Sequence, residues 1–214
     1  CWFPTIDAPN QKTTQEIYIT VDERYKSLSN GLLIYSTPNG DGTRTDYWKM
    51  EKPHAPYLFM MAIGDFAVVE DEWVKKDGTK MAVHYYVEKE FGPHAKAIFG
   101  KTPKMLSYFS ELLGVEYPWD KYHQVVVRDY VSGAMENTSA VIHGEFLHQT
   151  TREIIDGGNE SIIAHELFHH WFGDLVTCES WSNLPLNESF ANYSQFLWDE
   201  YEYGRMEADM NAFS

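Results

Sequence analysis

The sequence has little cysteine, little positive charge and no long apolar run. Cys1 and Cys178 are its only cysteines, too few for a disulfide framework, and a bridge from the first residue to so distant a position is not expected. The redox compartment therefore stays open. Seventeen Lys and Arg stand against 32 Asp and Glu, giving a net charge of −15 and a pI near 4.9. A surface of that sign repels phosphate backbones and anionic lipid, which argues against a nucleic-acid partner. The most apolar stretch, residues 57–69, is broken by Gly64 and Asp65 and falls short of the roughly 18 apolar residues that suggest a membrane span. The chain opens on Cys rather than Met, with no charged leader and apolar run, so its N-terminus reads as a cut. Repeats, low-complexity tracts and long blocks of one charge are missing too. What is present is core material: 43% of residues are hydrophobic and 15% aromatic, which excludes disorder. The length suits one large domain or two unequal ones.

A β region occupies the first part. Residues 16–21, 31–35, 56–63 and 66–69 are short apolar or β-branched runs between turn residues. Asp77-Gly78 lies between residues 73–75 and 81–87 and supplies the positive φ of a tight hairpin. Helical spacing begins after Gly92-Pro93, with Ala97, Ile98, Met105, Leu106, Phe109, Leu112 and Leu113 on one run that stops at Gly114 and is split by Pro103. Strands return at 124–128 and 139–142 around a loop at 131–137. Two helices complete the pattern. One covers 159–172, between Gly157-Gly158 and Gly173, and the other runs from 186 to about 203, between Pro185 and Gly204. The fold class is α+β, with an all-β part at 1–70 and a mixed part at 71–214.

The chemistry lies in His165-Glu166-x-x-His169. Two histidines four apart on a helix differ by about 40° of rotation and one turn of rise, so both imidazoles can reach one ion. Glu166 is then free to face water as a general base. The helix is otherwise apolar, through Ile162, Ile163, Leu167, Phe168, Trp171 and Phe172, and a carboxylate there is costly unless paired or coordinated. The bland alternative is a pair of structural histidines beside an unrelated glutamate. Catalytic zinc takes a third protein ligand and keeps a fourth position open, for which Asp174, Cys178, Glu179 and Glu188 are the downstream candidates. Asp174 and Cys178 follow Gly173 too closely to fold back easily, and Cys178 reads better as a small buried hydrophobe. Glu188 opens the next helix, and an antiparallel helix pair would carry its carboxylate to the histidines. Eighteen residues separate His169 from Glu188.

That spacing resembles the gluzincin zinc aminopeptidases of the aminopeptidase N type. Gly133-Ala134-Met135-Glu136-Asn137 matches the GAMEN sequence that family carries upstream of its zinc helix. Residues 2–9, WFPTIDAP, resemble its FPCFDEP segment, with Ala8 in place of Glu. Tyr57-Leu58 with Gly64-Asp65-Phe66 resembles its YLxxxxVGDF segment, and Trp171-Phe172-Gly173 and Leu175-Val176-Thr177 follow the zinc helix as in the family. Phe168 and His170 replace the commoner Ala and Gln, Pro185 replaces Trp, and Ser189 replaces Gly. None is a metal ligand, so these departures bear on pocket lining and substrate preference.

The resemblance implies the tail of a saddle-like β domain over 1–70, joined to the front of a thermolysin-like catalytic domain over 71–214 with a mixed sheet and zinc-binding helices. It also implies a piece of a longer enzyme whose oxyanion-stabilising tyrosine lies further on, so the chain alone is expected to be weakly active or inactive. The implied reaction is hydrolysis of the first bond of peptides with a free N-terminus, with one Zn²⁺ per chain held by His165, His169 and Glu188 and with Glu166 as base. Glu136 would receive the substrate's α-ammonium. The backbone of Gly133 and Ala134 would lie along the substrate as an added strand, with Met135 and Asn137 in the same binding segment. Two alternatives stay open, an epoxide-hydrolase branch of the fold and a non-catalytic zinc-binding scaffold. Ala134, where a second Gly would suit the former, and the full ligand set count against them. His143, His148 and His170 read as structural or pocket-wall histidines, and Tyr193, Tyr201 and Tyr203 as helix packing. The compartment, cytoplasmic or exported, is left open.

Overall fold

The structure, a computed structural model, describes residues 2–212, so Cys1 lies outside it. Four strands open the chain: β1 (Thr13–Asp22), β2 (Lys26–Ser29), β3 (Leu32–Pro38) and β4 (Thr43–His54). β1, β4 and β3 form an antiparallel sheet in that order, and β2 pairs with β5 (Met61–Gly64). β4 has no counterpart in the sequence reading. Its buried positions are Asp46, Trp48, Met50 and His54, half of them polar, so the period-two apolar signal is diluted. Asp46 is buried at little cost because Arg44, Ser27 and Ser36 all donate to its carboxylate. Residues 56–63 do not form the single strand expected. Pro56 fixes its φ and opens a 3₁₀ turn, Pro56–Leu58, and the chain extends again only in β5.

The second sheet has the order β6-β7-β8-β10-β9, from β6 (Phe66–Val74), β7 (Lys80–Glu88), β8 (Tyr122–Val127), β9 (Ala134–Met135) and β10 (Ala140–Gly144). β7, β8 and β10 run parallel while the outer pairs are antiparallel, so the sheet is mixed. The β6–β7 hairpin turns at Gly78, φ +85°. Position 70, where the sequence reading divides the chain, falls inside β6, which pairs with β7 along its whole length. By strand pairing, the second sheet begins at Phe66.

Six helices accompany the strands among the described residues: α1 (Ala95–Phe99), α2 (Thr102–Leu113), α3 (Glu153–Asp156), α4 (Glu160–Phe168), α5 (Pro185–Tyr203) and α6 (Arg205–Ala212). Pro103 stands in the first turn of α2, where no N–H is missed, which explains the split from α1. Period-two alternation gives the central sheet two apolar faces. Val83, Tyr85, Tyr122, Val126 and Val141 pack under the helices with Phe99, Phe109, Leu167 and Trp198. Tyr86, Val125 and Ala140 pack on the other side against Ile19, Leu28, Trp48 and Met60 of the first unit. The central sheet is thus a shared middle layer. Lys121 crosses this junction fully buried, its Nζ donating to the Ser29 carbonyl at 2.6 Å and lying 4.4 Å from the Trp48 ring centre. Burial holds its pKa well below the usual lysine range. No helix among the described residues is long and apolar enough to cross a membrane.

Candidate metal centre

α4 is shorter than its apolar run. It ends at Phe168, and the chain turns through His169 to Gly173, whose φ is +142°. A Cβ at Gly173 would stand 3.0 Å from the His169 carbonyl oxygen and 3.1 Å from its Nδ1, so glycine lets the turn close over the imidazole. The closure orients His169. Its Nδ1 donates to the Phe172 carbonyl at 2.9 Å, which turns Nε2 inward. His165 Nε2 lies 3.0 Å from His169 Nε2. α5 packs on α4 and places Glu188 Oε2 3.5 Å from both nitrogens.

These three ligand atoms fit a metal ion. Two imidazole nitrogens aimed at each other and a carboxylate oxygen at equal distance from both form an incomplete tetrahedron. Zinc–nitrogen bonds of about 2.0–2.1 Å would set the nitrogens roughly 3.3 Å apart. Burial disfavours a charged His169, yet the Glu188 hydrogen bond and the Glu136 and Glu166 carboxylates outweigh it and push its pKa up to about 10. Hydrogen bonds from His165 and His169 hold Glu188 well below the usual carboxylate range. A cation held by these atoms would take His169 Nε2 in its deprotonated form.

Glu166 is 6% exposed, and its Oε2 has no hydrogen-bond partner among the described residues. Burial first, then Glu136 and Glu188, raise its pKa to about 8 against the opposing pull of His169. Its position suits an oxygen that trades protons near neutral pH. Glu136 is 7% exposed, and one carboxylate oxygen of it, one of Glu166 and one nitrogen of His169 lie within 4.8 Å of one another. Ala134 and Met135, expected in a loop, form β9, an edge strand paired among the described residues only with β10; Gly133 accepts a bond from the Gly144 N–H at 2.8 Å. Asn137 is buried and donates to the Leu58 carbonyl at 3.1 Å. The 133–137 segment and the candidate metal ligands therefore meet around His169 and Glu166.

The sequence profile of the Peptidase family M1 domain matches residues 98–213, more than half of the chain, and that of the Peptidase M1 N-terminal domain matches residues 1–58. The chain belongs to peptidase family M1. Its relatives include glutamyl aminopeptidase of Homo sapiens, 32% identical over 200 residues that cover 91% of this chain and 20% of that protein. Aminopeptidase M1 of Arabidopsis thaliana is 34% identical over 201 residues, 91% of this chain and 22% of that protein. The crystal structure of Legionella pneumophila aminopeptidase A in complex with aspartic acid superposes with a TM-score of 0.81 at 23% identity, over 92% of this chain and 24% of that one. The M1 chain thus spans about a fifth of the length of these curated relatives, and its α+β architecture is that of the family's N-terminal and catalytic domains.

Several residues of this M1 site were not singled out for it in the sequence. Tyr57 reaches Glu136 from the 3₁₀ turn, and Asn187 reaches Tyr57 from α5. Lys12 donates to the carbonyls of Asp174 at 3.0 Å and Leu175 at 2.8 Å, just past the metal-binding turn. His170, read as structural, donates through Nδ1 to the Glu166 carbonyl at 3.1 Å and accepts the Ser139 N–H at Nε2, 3.0 Å. It joins the Glu136 segment to α4. Asp174 is buried, and its carboxyl is pushed well above the usual range by burial and by Glu136. Cys178 is a free, buried thiol outside the ligand cluster. His143 bonds Gln124, His148 stacks on Phe91, Tyr201 stacks on Tyr108, and Tyr203 bonds Glu160. Adjacency to the metal helix marks His170 in sequence, whereas Tyr57 and Lys12 carry no local signal of where they dock.

Proposed function

We propose that this M1 chain carries the metal-binding and substrate-receiving part of a zinc aminopeptidase that releases N-terminal residues from peptides. One observation carries the reading: the Glu136 carboxylate shares a 4.8 Å cluster with Glu166 and His169. In a peptide the α-nitrogen and the first scissile carbonyl are two bonds apart. A receptor for the one beside the reactive group for the other therefore selects the first peptide bond. Zinc bound by His165, His169 and Glu188 would supply Lewis-acid polarisation of the scissile carbonyl and activation of water.

The chain's own residues do the rest. Glu136 pairs with the α-ammonium by a charge-assisted hydrogen bond, and an N-acetylated substrate lacks that charge. Glu166, whose buried Oε2 has no hydrogen-bond partner among the described residues, takes a proton from water and returns it to the leaving nitrogen. β9 offers a free sheet edge to which a substrate backbone can add as a further strand. The 1–70 and 71–214 segments are read as parts of the β and catalytic domains, joined through the shared sheet.

Metal analysis tests the ligand set. One zinc per chain is expected in the parent and in Glu166→Gln, with loss in His165→Ala and in Glu188→Ala. Full occupancy in both ligand variants would refute the assignment.

A further inference from the structure

We infer that Tyr57 is the positioning residue for Glu136: its hydroxyl fixes the carboxylate that receives the substrate's α-ammonium. The inference rests on the aminopeptidase reading above and extends it to a residue in the first unit of the chain. Tyr57 Oη donates to Glu136 Oε1 at 3.4 Å and accepts from Asn187 Nδ2 at 3.3 Å. Asn187 is fully buried, and its Oδ1 accepts the Cys178 N–H at 3.2 Å. That bond orients the amide so that its NH₂ faces the phenol. With its lone pair engaged by Asn187, the phenol has its own proton left for Glu136.

The ring cannot easily drift. It follows Pro56 in the 3₁₀ turn, lies edge-on to Trp181 at 4.9 Å, and precedes Leu58, whose carbonyl accepts from Asn137 at 3.1 Å and from Asn30 at 3.0 Å. One turn thus contacts Glu136 and Asn137 together. Burial and the Glu136 and Asp174 carboxylates keep the Tyr57 proton in place far above the working pH range, so the group stays a donor. At 3.4 Å the bond is longer than the ordinary 2.7–2.8 Å and has room to shorten once an ammonium organises the carboxylate. Holding Oε1 leaves the second oxygen of Glu136 for the substrate. Asn187 precedes Glu188 on α5, so the phenol is held from the element that carries one of the proposed metal ligands.

The test uses the zinc-loaded 214-residue chain, titrated calorimetrically with leucine hydroxamate and with N-acetyl-leucine hydroxamate. The hydroxamate is a zinc-directed group common to both probes, so their affinity ratio reads the amine receptor. Tyr57→Phe keeps the ring and its Trp181 contact and removes one oxygen. The free-amine preference is expected to fall about tenfold, the scale of a hydrogen bond to a charged group, with zinc affinity and melting temperature unchanged. Glu136→Gln should lose the preference as well. If Glu136→Gln loses it and Tyr57→Phe keeps it, the Tyr57 inference fails and the aminopeptidase reading stands. If the parent shows no preference, or neither variant alters it, the Glu136 receptor falls and Tyr57 with it. Loss of zinc affinity or of melting temperature in Tyr57→Phe would make the residue merely structural and overturn its positioning role.

Discussion

His54 is fully buried, stacks on Phe59 at 4.6 Å and has no hydrogen-bond partner for either ring nitrogen among the described residues. Burial, with the Lys12 ammonium nearby, lowers its pKa to about 3. Burial does the same to His143 and His170. Below pH 6.5 the unfolded chain takes up protons that these folded sites refuse, so stability is present above that pH and drains away as pH falls toward 3. The slope is up to about 1.4 kcal/mol per pH unit for each histidine. His54→Phe, which keeps an aromatic ring on Phe59, is therefore expected to gain on the parent at pH 5 more than at pH 7.5 in urea unfolding. An equal margin at both pH values would remove His54 from the account. At this scale the sequence marks its candidates where one chemistry dictates spacing, and the structure draws His165, His169 and Glu188 together. Tyr57 and Asn187 were not legible as a pair, because their hydrogen bond spans 130 positions and no local pattern encodes it.

Among elements, the end of the Glu136 segment is the most tightly determined. Ser139 has φ +66°, in the left-handed region. Such a conformation costs a non-glycine residue about 1 kcal/mol and persists where neighbours over-determine it. Three do so: its N–H donates to His170, its Oγ accepts the Gly31 N–H at 2.9 Å, and its carbonyl accepts the His123 N–H at 3.0 Å. Ser139→Ala keeps the strain and orphans the buried Gly31 N–H, so a loss of about 1–3 kcal/mol is expected by denaturant unfolding. Ser139→Gly relieves the backbone and should lose less; the opposite ranking would show that strain plays no part. The α+β class, the β6–β7 hairpin, the Pro103 split and the helix pair α4–α5 were all readable from periodicity and turn residues. β4 escaped because buried polar positions interrupt its pattern. β9 escaped because two residues are too few for any period, and α4 ended early because Gly173 closes a turn that an apolar run cannot announce.

For the molecule as a whole, the central sheet presents one face to the helices and the other to the first β unit. Neither unit can shed its partner without exposing apolar surface, and Lys121 would lose its acceptor as well. Thermal unfolding followed by far-UV circular dichroism and by tryptophan fluorescence is therefore expected to give one coincident transition. Two separated midpoints would mean that the units fold independently. The link from Lys12 to the carbonyls of Asp174 and Leu175 adds a consequence in time. A ribosome adding about 5–20 residues per second delivers Leu175 roughly 8–30 seconds after Lys12. During that interval β1 to β10 are all synthesised with the lysine still hydrated. The strands of the central sheet, complete by Gly144, are thus made before Lys12 has its acceptors, so this contact forms only after the layer on which the first sheet docks has been made.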